Sequence, residues 1–159
     1  MNCLNKIITI NDFIDLKSNG IFHNKNIVFT NGCFDILHSG HILYLEEASK
    51  LGDILILGLN SDNSVKRLKG QSRPINNQQD RAIVLSGLQS VSYIIIFEED
   101  TPFELIKIIN PDILVKGGDW KAEQIVGSDL VLKNGGVVKS LSFKEGKSTS
   151  NIIDNILKG

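Results

Sequence analysis

The sequence has only two cysteines, no long apolar run and almost no net charge, and each of these absences excludes a class of protein. Two thiols, Cys3 and Cys33, are too few for the disulfide framework of a small secreted domain. No apolar run approaches the roughly 20 residues that span a bilayer, and the first residues lack the apolar core of a signal peptide. The formal net charge of -1 gives no general attraction for nucleic acid or for an anionic membrane. We therefore expect a reduced, cytoplasmic protein that binds neither nucleic acid nor membrane.

Three sequence motifs of nucleotide-binding and hydrolytic enzymes are also missing. No Gly-x-Gly-x-x-Gly occurs, so the standard dinucleotide site is unsupported. Gly146, Lys147 and Ser148 match the end of a P-loop, but Leu141 stands where that motif needs its first glycine. No Gly-x-Ser-x-Gly elbow is present, which argues against a serine hydrolase. Any phosphate must therefore be held by other local groups.

Apolar runs of strand length alternate with amphipathic segments along the chain. Residues 1–25 form a lead-in that contains a predicted helix over residues 10–20, with Asn11 as its N-cap. Strands are predicted over residues 26–30, 53–60, 91–97, 112–117 and 136–143. Helices are predicted over residues 41–52, 76–88, 101–110, 128–136 and 148–159, the third capped by Thr101 with Pro102 as its first residue. This alternation predicts one α/β domain over residues 1–159, a Rossmann-like doubly wound five-stranded parallel sheet with helices on both faces.

In such a fold ligands bind beyond the carboxyl ends of the strands, where the segment His-Ser-Gly-His follows the first strand. The helix is expected to begin near Gly40, and its free N–H groups offer an anion site that this glycine leaves open. The imidazoles of His38 and His41 can donate hydrogen bonds to phosphate oxygens there. Two other interpretations remain open: a histidine pair that only caps the helix, and a metal site. The residues that could complete a metal site are Cys33, Asp35 and His23.

The loop predicted after the second strand carries four cations, Lys66, Arg67, Lys69 and Arg73. Lysine provides a mobile point charge and arginine a two-pronged donor, so together they can clamp phosphates. Taken alone, a basic run of this kind is more often a solvated helix end.

Two further segments at the same edge suit a nucleotide. Gly117 and Gly118 follow the fourth strand and let the backbone approach a ligand, while Asp119 could accept from sugar hydroxyls or only cap a helix. Trp120 could stack on a ligand or line the pocket. The Ser/Thr cluster at residues 148–150 could bind phosphate or only cap the last helix. Each segment has an ordinary structural explanation, but the convergence of four at one edge favours a nucleotide or sugar-phosphate site.

Together these segments resemble the nucleotidyltransferase superfamily with the His-x-Gly-His signature, and within it the adenylyltransferases of bacterial ADP-heptose synthesis. The resemblance covers nearly the whole chain and rests on the segments VFTNGCFDILHSGHILYLEEASKLGD, LNSDNSVKRLKGQSRPIN, DRAIVLSGLQSV, FEEDTP, PDILVKGGDW and EGKST. It implies transfer of the adenylyl group of ATP to D-glycero-D-manno-heptose 1-phosphate, giving ADP-heptose, a lipopolysaccharide core precursor, and pyrophosphate. It also implies Mg²⁺ with ATP, a homodimer, and a heptose kinase that is either fused to the chain or separate.

The resemblance also assigns roles to residues. His38 and His41 would contact the triphosphate and stabilise the transition state, with Lys69 as the catalytic lysine of the basic loop. Lys66, Arg73 and Arg81 are the candidates for the sugar phosphate, although Arg81 could instead pair with carboxylates on its own helix. The residues implied to hold the nucleotide are Cys33, Phe34, Gly40, Gly117, Gly118, Asp119, Glu145, Gly146, Ser148, Thr149 and Ser150.

One departure from a related branch bears on the substrate. Glycerol-3-phosphate cytidylyltransferases typically carry Arg-Thr-Glu-Gly where this chain has Phe143 to Gly146. The missing arginine favours the heptose branch, and the choice of base rests on the resemblance alone. The alternatives are a cytidylyltransferase of that kind and a nucleotide-binding module without catalysis.

Overall fold

The computed structural model describes residues 2–142 and 148–159 and forms one sheet of five parallel strands. The strands are β1 (Ile27–Gly32), β2 (Ile54–Asn60), β3 (Tyr93–Phe97), β4 (Ile113–Gly117) and β5 (Val137–Leu141). The helices are α1 (Ile10–Ser18), α2 (Ser39–Ser49), α3 (Asp62–Lys69), α4 (Gln78–Ser86), α5 (Phe103–Ile109), α6 (Ser128–Lys133) and α7 (Thr149–Lys158), with 3-10 turns at Cys3–Lys6 and Ala122–Gln124. The predicted Rossmann-like α/β fold is confirmed. The predicted site residues Glu145 and Gly146 lie outside the described residues.

The strand order β3-β2-β1-β4-β5 places the topological switch point between β1 and β4. The pairing of β1 with β2 continues to Gly32 and Leu59, at the carboxyl ends of both strands. The pairing of β1 with β4 stops earlier, at Phe29 and Leu114. The carboxyl ends of β1 and β4 are therefore not held together by strand pairing, which is the place where such folds open a ligand crevice.

Each face of the sheet carries its own apolar core. On one face α1, α5 and α6 pack through buried side chains that include Phe13 and Ile106. On the other face α2 and α4 pack through Tyr44 and Leu85. The lead-in belongs to the first core, because the rings of Phe13 and Phe22 stack with centroids 5.2 Å apart. Within the described ranges, no helix is long and apolar enough to cross a membrane.

Two helix starts differ by one or two residues from the predicted ones. Helix α1 is capped by Thr9 rather than by Asn11: the Thr9 hydroxyl accepts from the backbone N–H of Asp12, and the Thr9 N–H donates to the Asp12 carboxylate, in a capping box. Helix α5 is capped by Pro102 and begins at Phe103, so the prediction of Thr101 as the cap is wrong by one residue. Neither difference changes the register of a buried face.

The segment predicted as a basic loop contains a helix, α3, which is the main departure from the predicted elements. The hydroxyl of Ser61 accepts from the N–H of Ser64 at 3.1 Å and caps its first turn. Asp62 lies in that first turn and three cations lie in the last turn, so both ends complement the helix dipole. This helix carries Lys69 at its carboxyl end, toward the crevice.

Candidate active site

A cavity of about 530 Å³ lies at the carboxyl edge of the sheet, at the switch point. The ends of β1, β2 and β4, the start of α7 and side chains of α2 and α3 form its walls. The predicted site residues on its lining are Cys33, Phe34, His41, Lys69, Arg73, Gly117, Ser148, Thr149 and Ser150. The structure thus brings together groups that are more than a hundred residues apart in the chain.

The two histidines lie at the start of α2. The backbone of His38 occupies the N-cap position, and its carbonyl accepts from the N–H of His41 at 2.9 Å. The two imidazole rings stack with centroids 3.9 Å apart, and the His41 ring lies 5.1 Å from that of Phe34. Within the described part of the chain, the side chain of His38 makes no capping hydrogen bond to α2, although its backbone holds the N-cap position. Gly40, between them, is buried.

The environment of His41 keeps its imidazole neutral at neutral pH. Burial and the neighbouring His38 lower the pKa of His41 to about 4. Among residues 2–142 and 148–159, the buried Nδ1 of His41 has no hydrogen-bond partner. A bound phosphate would raise this pKa, because an anion close to an imidazole favours its charged form. The site is therefore suited to an imidazole that gains a proton only when an anion is present.

If the two histidines were metal ligands, other ligands would have to lie close to them in the described residues. No group of three or more His, Cys, Asp or Glu side chains suited to a metal occurs among them. Asp35, which was a candidate ligand, accepts hydrogen bonds from Arg73 and from the backbone instead. Among the described residues, no further ligand beside the two imidazoles is therefore available for a metal.

The four cations of the basic segment divide into two pairs. Lys69 and Arg73 line the cavity, whereas Lys66 is exposed away from its lining. Arg67 forms ion pairs with Asp100 at 2.6 Å and with Glu98 at 3.6 Å. Arg67 therefore joins α3 to the loop after β3, and only Lys69 and Arg73 are placed to meet a ligand.

Asp35 fixes Arg73 beside the cavity. Its buried carboxylate accepts from Nε of Arg73 at 2.7 Å and from the backbone N–H groups of Ile75 and Asn76 at 2.9 Å. Burial alone would raise the pKa of Asp35, but the hydrogen bonds from Asn76, Ile75 and Arg73 hold it below its ordinary value. The guanidinium thus keeps a defined orientation, and within residues 2–142 and 148–159 only its Nε is engaged by a carboxylate, which directs its two terminal nitrogens to a ligand.

Arg81 occupies a different place from the one expected of a substrate contact. It is only 2% exposed, and it donates to the carbonyls of Cys33 at 2.7 Å and Asn60 at 2.8 Å. It also donates to the carbonyl of Asn76 at 3.0 Å and to the carboxylate of Asp62 at 2.8 Å. The prediction that Arg81 serves the sugar phosphate is therefore corrected, because its donors are directed at protein acceptors. It positions the backbone at the ends of β1 and β2 instead.

The turn after β4 is only partly on the cavity wall. Gly117 lines the cavity and its carbonyl accepts from Nε1 of Trp120 at 3.0 Å, which holds the indole on the lining. Gly118 has a φ of +107°, a conformation that favours glycine. Asp119 is exposed outside the lining, so its predicted contact with the nucleotide would require a ligand that extends beyond the cavity.

The loop after β1 and the start of α7 meet across the cavity. Cys33 lies on the lining, and burial raises the pKa of its thiol, so it remains a thiol at neutral pH. The hydroxyl of Thr149 donates to the carbonyl of Ile36 at 3.1 Å. Ser148 caps α7 by accepting from the N–H of Asn151 at 3.0 Å. The start of α7 therefore points its polar groups at the same cavity as the start of α2.

Sequence reasoning missed one cation of the site, Lys116. This residue is half-buried near the end of β4 and lines the cavity. Burial lowers the pKa of Lys116; the neighbouring Cys33 raises it in part, and the nearby charge of Lys69 lowers it further. Its place directly before two glycines at a strand end was the available signal.

A family profile and several curated proteins match this chain. The profile of the family described as cytidylyltransferase-like matches residues 29–154. The chain is 57% identical over 150 residues to the Bifunctional protein HldE of a Nitratiruptor species, covering 92% of this chain and 32% of the relative. It is 61% identical over 132 residues to the protein of the same name from Campylobacter concisus, covering 83% and 27%. The chain thus spans about a third of the length of the curated relatives it matches.

Solved structures with the same fold include two from different organisms. A lipopolysaccharide core biosynthesis protein from Thermoplasma volcanium GSS1 is 31% identical, with a TM-score of 0.61, covering 78% of this chain and all of that one. A pantoate-beta-alanine ligase from Francisella tularensis is 15% identical, with a TM-score of 0.59, covering 96% of this chain and 79% of that one. The second likeness concerns the fold alone.

Proposed function

The chain belongs to the cytidylyltransferase-like family and is a nucleotidyltransferase, and we propose that it joins ATP to D-glycero-D-manno-heptose 1-phosphate. The products would be ADP-heptose and pyrophosphate, for the synthesis of the lipopolysaccharide core. The observation that carries this proposal is the pair His38 and His41 at the start of α2, beside a cavity lined by Lys69, Lys116 and Arg73. The description of the Thermoplasma protein as a lipopolysaccharide core biosynthesis protein supports the same pathway.

The proposed reaction needs no general base. The acceptor phosphate is already an anion, and it displaces pyrophosphate from the α-phosphorus of ATP. The barrier comes from bringing two anions together and from the charge that grows on the leaving pyrophosphate. Positioning and electrostatic stabilisation therefore provide the catalysis.

The histidine pair would act on the leaving group. The triphosphate would lie at the start of α2, where N–H groups and the helix dipole favour an anion. His41, which burial keeps neutral at neutral pH, would gain a proton as the phosphate approaches and would donate to it. Lys69 would add a mobile positive charge on the same triphosphate from the end of α3.

The acceptor phosphate would be held by Arg73. The guanidinium is oriented by the buried carboxylate of Asp35, so a phosphate meets a pre-organised donor pair. The nucleoside would lie toward Gly117, Trp120 and residues 148–150 at the β4 and α7 side of the cavity. Lys66, which is exposed, would at most attract the substrates over a longer range.

Mg²⁺ would enter this site with ATP. The carboxylates on the lining, Asp35 and Asp100, are engaged by Arg73 and Arg67 respectively. These residues fit an ion carried mainly by the substrate phosphates and water, as Mg²⁺ usually is in such enzymes. When bound, the ion would neutralise phosphate charge.

The test is a substrate panel read by pyrophosphate release. ATP, CTP and GTP are each paired with D-glycero-D-manno-heptose 1-phosphate and with glycerol 3-phosphate, in the presence of Mg²⁺. Release with ATP and the heptose phosphate alone supports the proposal. Release with CTP and glycerol 3-phosphate would identify a cytidylyltransferase instead. Nucleotide binding without release in any pairing would favour a binding module.

Three wider aspects of the proposal rest on the resemblance to the heptose enzymes. The chain would form a homodimer and act in the cytoplasm, where ATP is available. Because it matches about a third of relatives called bifunctional, it would supply one of their two activities. The heptose kinase would then be a separate chain or a fused domain. Light scattering of the purified protein tests the dimer.

A further inference from the structure

Lys116 brings a positive charge into the cavity without a counter-charge from the described protein. It is half-buried near the end of β4, on the lining, and Lys69 is close enough to act on its charge. Among residues 2–142 and 148–159, the ion pairs of the structure do not include Lys116. An ammonium taken from water without a carboxylate partner is unfavourable, and it is made worse by a second ammonium nearby. Both penalties are relieved when an anion enters.

The alternation of side chains along β4 shows from which side Lys116 approaches. Leu114 belongs to the core on the face of α1, α5 and α6, whereas Val115 belongs to the core on the face of α2 and α4. Successive residues of a strand point to opposite faces, so Lys116 emerges on the face of Leu114. His41 reaches the cavity from α2, on the other face. A ligand above the strand ends would therefore have the histidines on one side and Lys116 on the other.

The geometry of phosphoryl transfer indicates which of the two phosphates Lys116 contacts. The attacking and leaving oxygens lie roughly in line, on opposite sides of the phosphorus. Under the proposed function, on which this inference rests, the leaving pyrophosphate lies against His38 and His41. We propose that Lys116 binds the attacking phosphate of the acceptor, on the opposite side of the α-phosphorus. Lys116 is thus a substrate-binding residue that determines the affinity for a phosphorylated acceptor.

A comparison of three variants tests this role. Lys116→Met keeps the length of the side chain without its charge, Lys116→Arg keeps the charge, and Lys133→Met removes an exposed charge outside the lining. Loss of one charged hydrogen bond predicts a rise in the KM for heptose 1-phosphate of about 10–100-fold in Lys116→Met. The KM for ATP should stay within roughly threefold of wild type, and Lys116→Arg should recover part of the loss. Lys133→Met should behave as wild type.

Two outcomes would overturn the assignment. A rise in the KM for ATP with an unchanged KM for the acceptor would place Lys116 on the nucleotide. If Lys116→Met has the same Tm, kcat and KM values as the wild type, Lys116 does not bind the substrates. If Lys116→Met does not fold, Lys116→Gln takes its place in the same comparison.

A binding experiment separates this inference from the proposed function. The wild type, saturated with α,β-methylene ATP, is titrated calorimetrically with heptose 1-phosphate and, separately, with inorganic phosphate. If the wild type neither binds nor turns over heptose 1-phosphate, the proposed substrate is wrong. The role of Lys116 is then tested only by the affinity for inorganic phosphate. Phosphate affinity that falls about 10-fold or more in Lys116→Met supports the role, and equal affinity in both proteins overturns it. Absence of phosphate binding to the wild type would also overturn it.

Discussion

Replacing His41 with alanine would remove an imidazole that lines the cavity, stacks on His38 and contacts Phe34. The ring is neutral at neutral pH because burial lowers its pKa to about 4, so alanine removes no resident positive charge. It removes a donor to charge that develops during transfer, and one such donor typically contributes about 2.7–4 kcal/mol, a factor of roughly 10²–10³ in kcat. The lost aromatic contacts contribute about 0.5–1.5 kcal/mol each, and they affect folding rather than chemistry. We therefore expect a large fall in kcat, a smaller change in the KM for ATP and a modest fall in Tm.

The assay is pyrophosphate release at saturating ATP and acceptor, with single-turnover measurements to isolate the chemical step. His38→Ala should show a fall of the same order, because both rings occupy the start of α2. His23→Ala is the matched control, since it removes an exposed histidine outside the cavity lining. Near wild-type turnover in both His38→Ala and His41→Ala, in folded protein, would refute the catalytic role of the pair. A change confined to KM would mean that they bind substrate and transition state equally.

The remaining predictions concern a lysine, a buried arginine and the response to acid. Lys69→Ala should lower kcat/KM more than Lys66→Ala. Equal, small effects would show that both lysines are solvated surface residues without a role in catalysis. Arg81→Met should lower the free energy of unfolding by about 2–5 kcal/mol in urea, because it leaves the carbonyls of Cys33 and Asn60 without their donor, at about 1–3 kcal/mol each; a loss below about 1 kcal/mol would contradict this interpretation. Since the pKa of His41 is about 4 when folded against 6.5 ordinarily, the unfolded chain binds more protons between these values. Stability should therefore fall as pH drops through that window, with a shallower slope in His41→Gln; identical slopes would show that His41 does not titrate as described.

The interior strand β2 and its neighbour β3 were predictable from the sequence because they are nearly continuous apolar runs. Every residue of β2 is buried, and its run of Ile and Leu needs no tertiary information to interpret. Helix α3 gave no such signal, because its segment is highly charged and Val65 is its one buried apolar residue. The cap at Ser61 and the contact of Arg67 with Asp100 stabilise it, and the second depends on the loop after β3. A prediction from local composition therefore assigned a loop.

The candidate site was predictable to the extent that strand ends determine it. The histidine pair and residues 148–150 follow predicted strands, and the parallel sheet brings them to one edge. Arg81 was misplaced although a signal was present, because it lies four residues before Leu85, on the same helical face as that buried residue. Its partners are carbonyls of distant segments, which no local pattern reveals. The role suggested for Lys116 likewise depends on burial and on its neighbour Lys69, which only the fold provides.

Phosphorus NMR of the complete reaction can follow the proposed transfer of an adenylyl group to the phosphate of a heptose. Purified protein is incubated with ATP, Mg²⁺ and D-glycero-D-manno-heptose 1-phosphate, with the His41→Ala variant as the control. We predict that the sugar monophosphate signal is replaced by the coupled pair of a sugar nucleotide diphosphate, with an equal amount of free pyrophosphate, and that the variant does this far more slowly. A sugar monophosphate signal that persists in active, nucleotide-binding protein, or pyrophosphate formed without a sugar nucleotide, would contradict the claim.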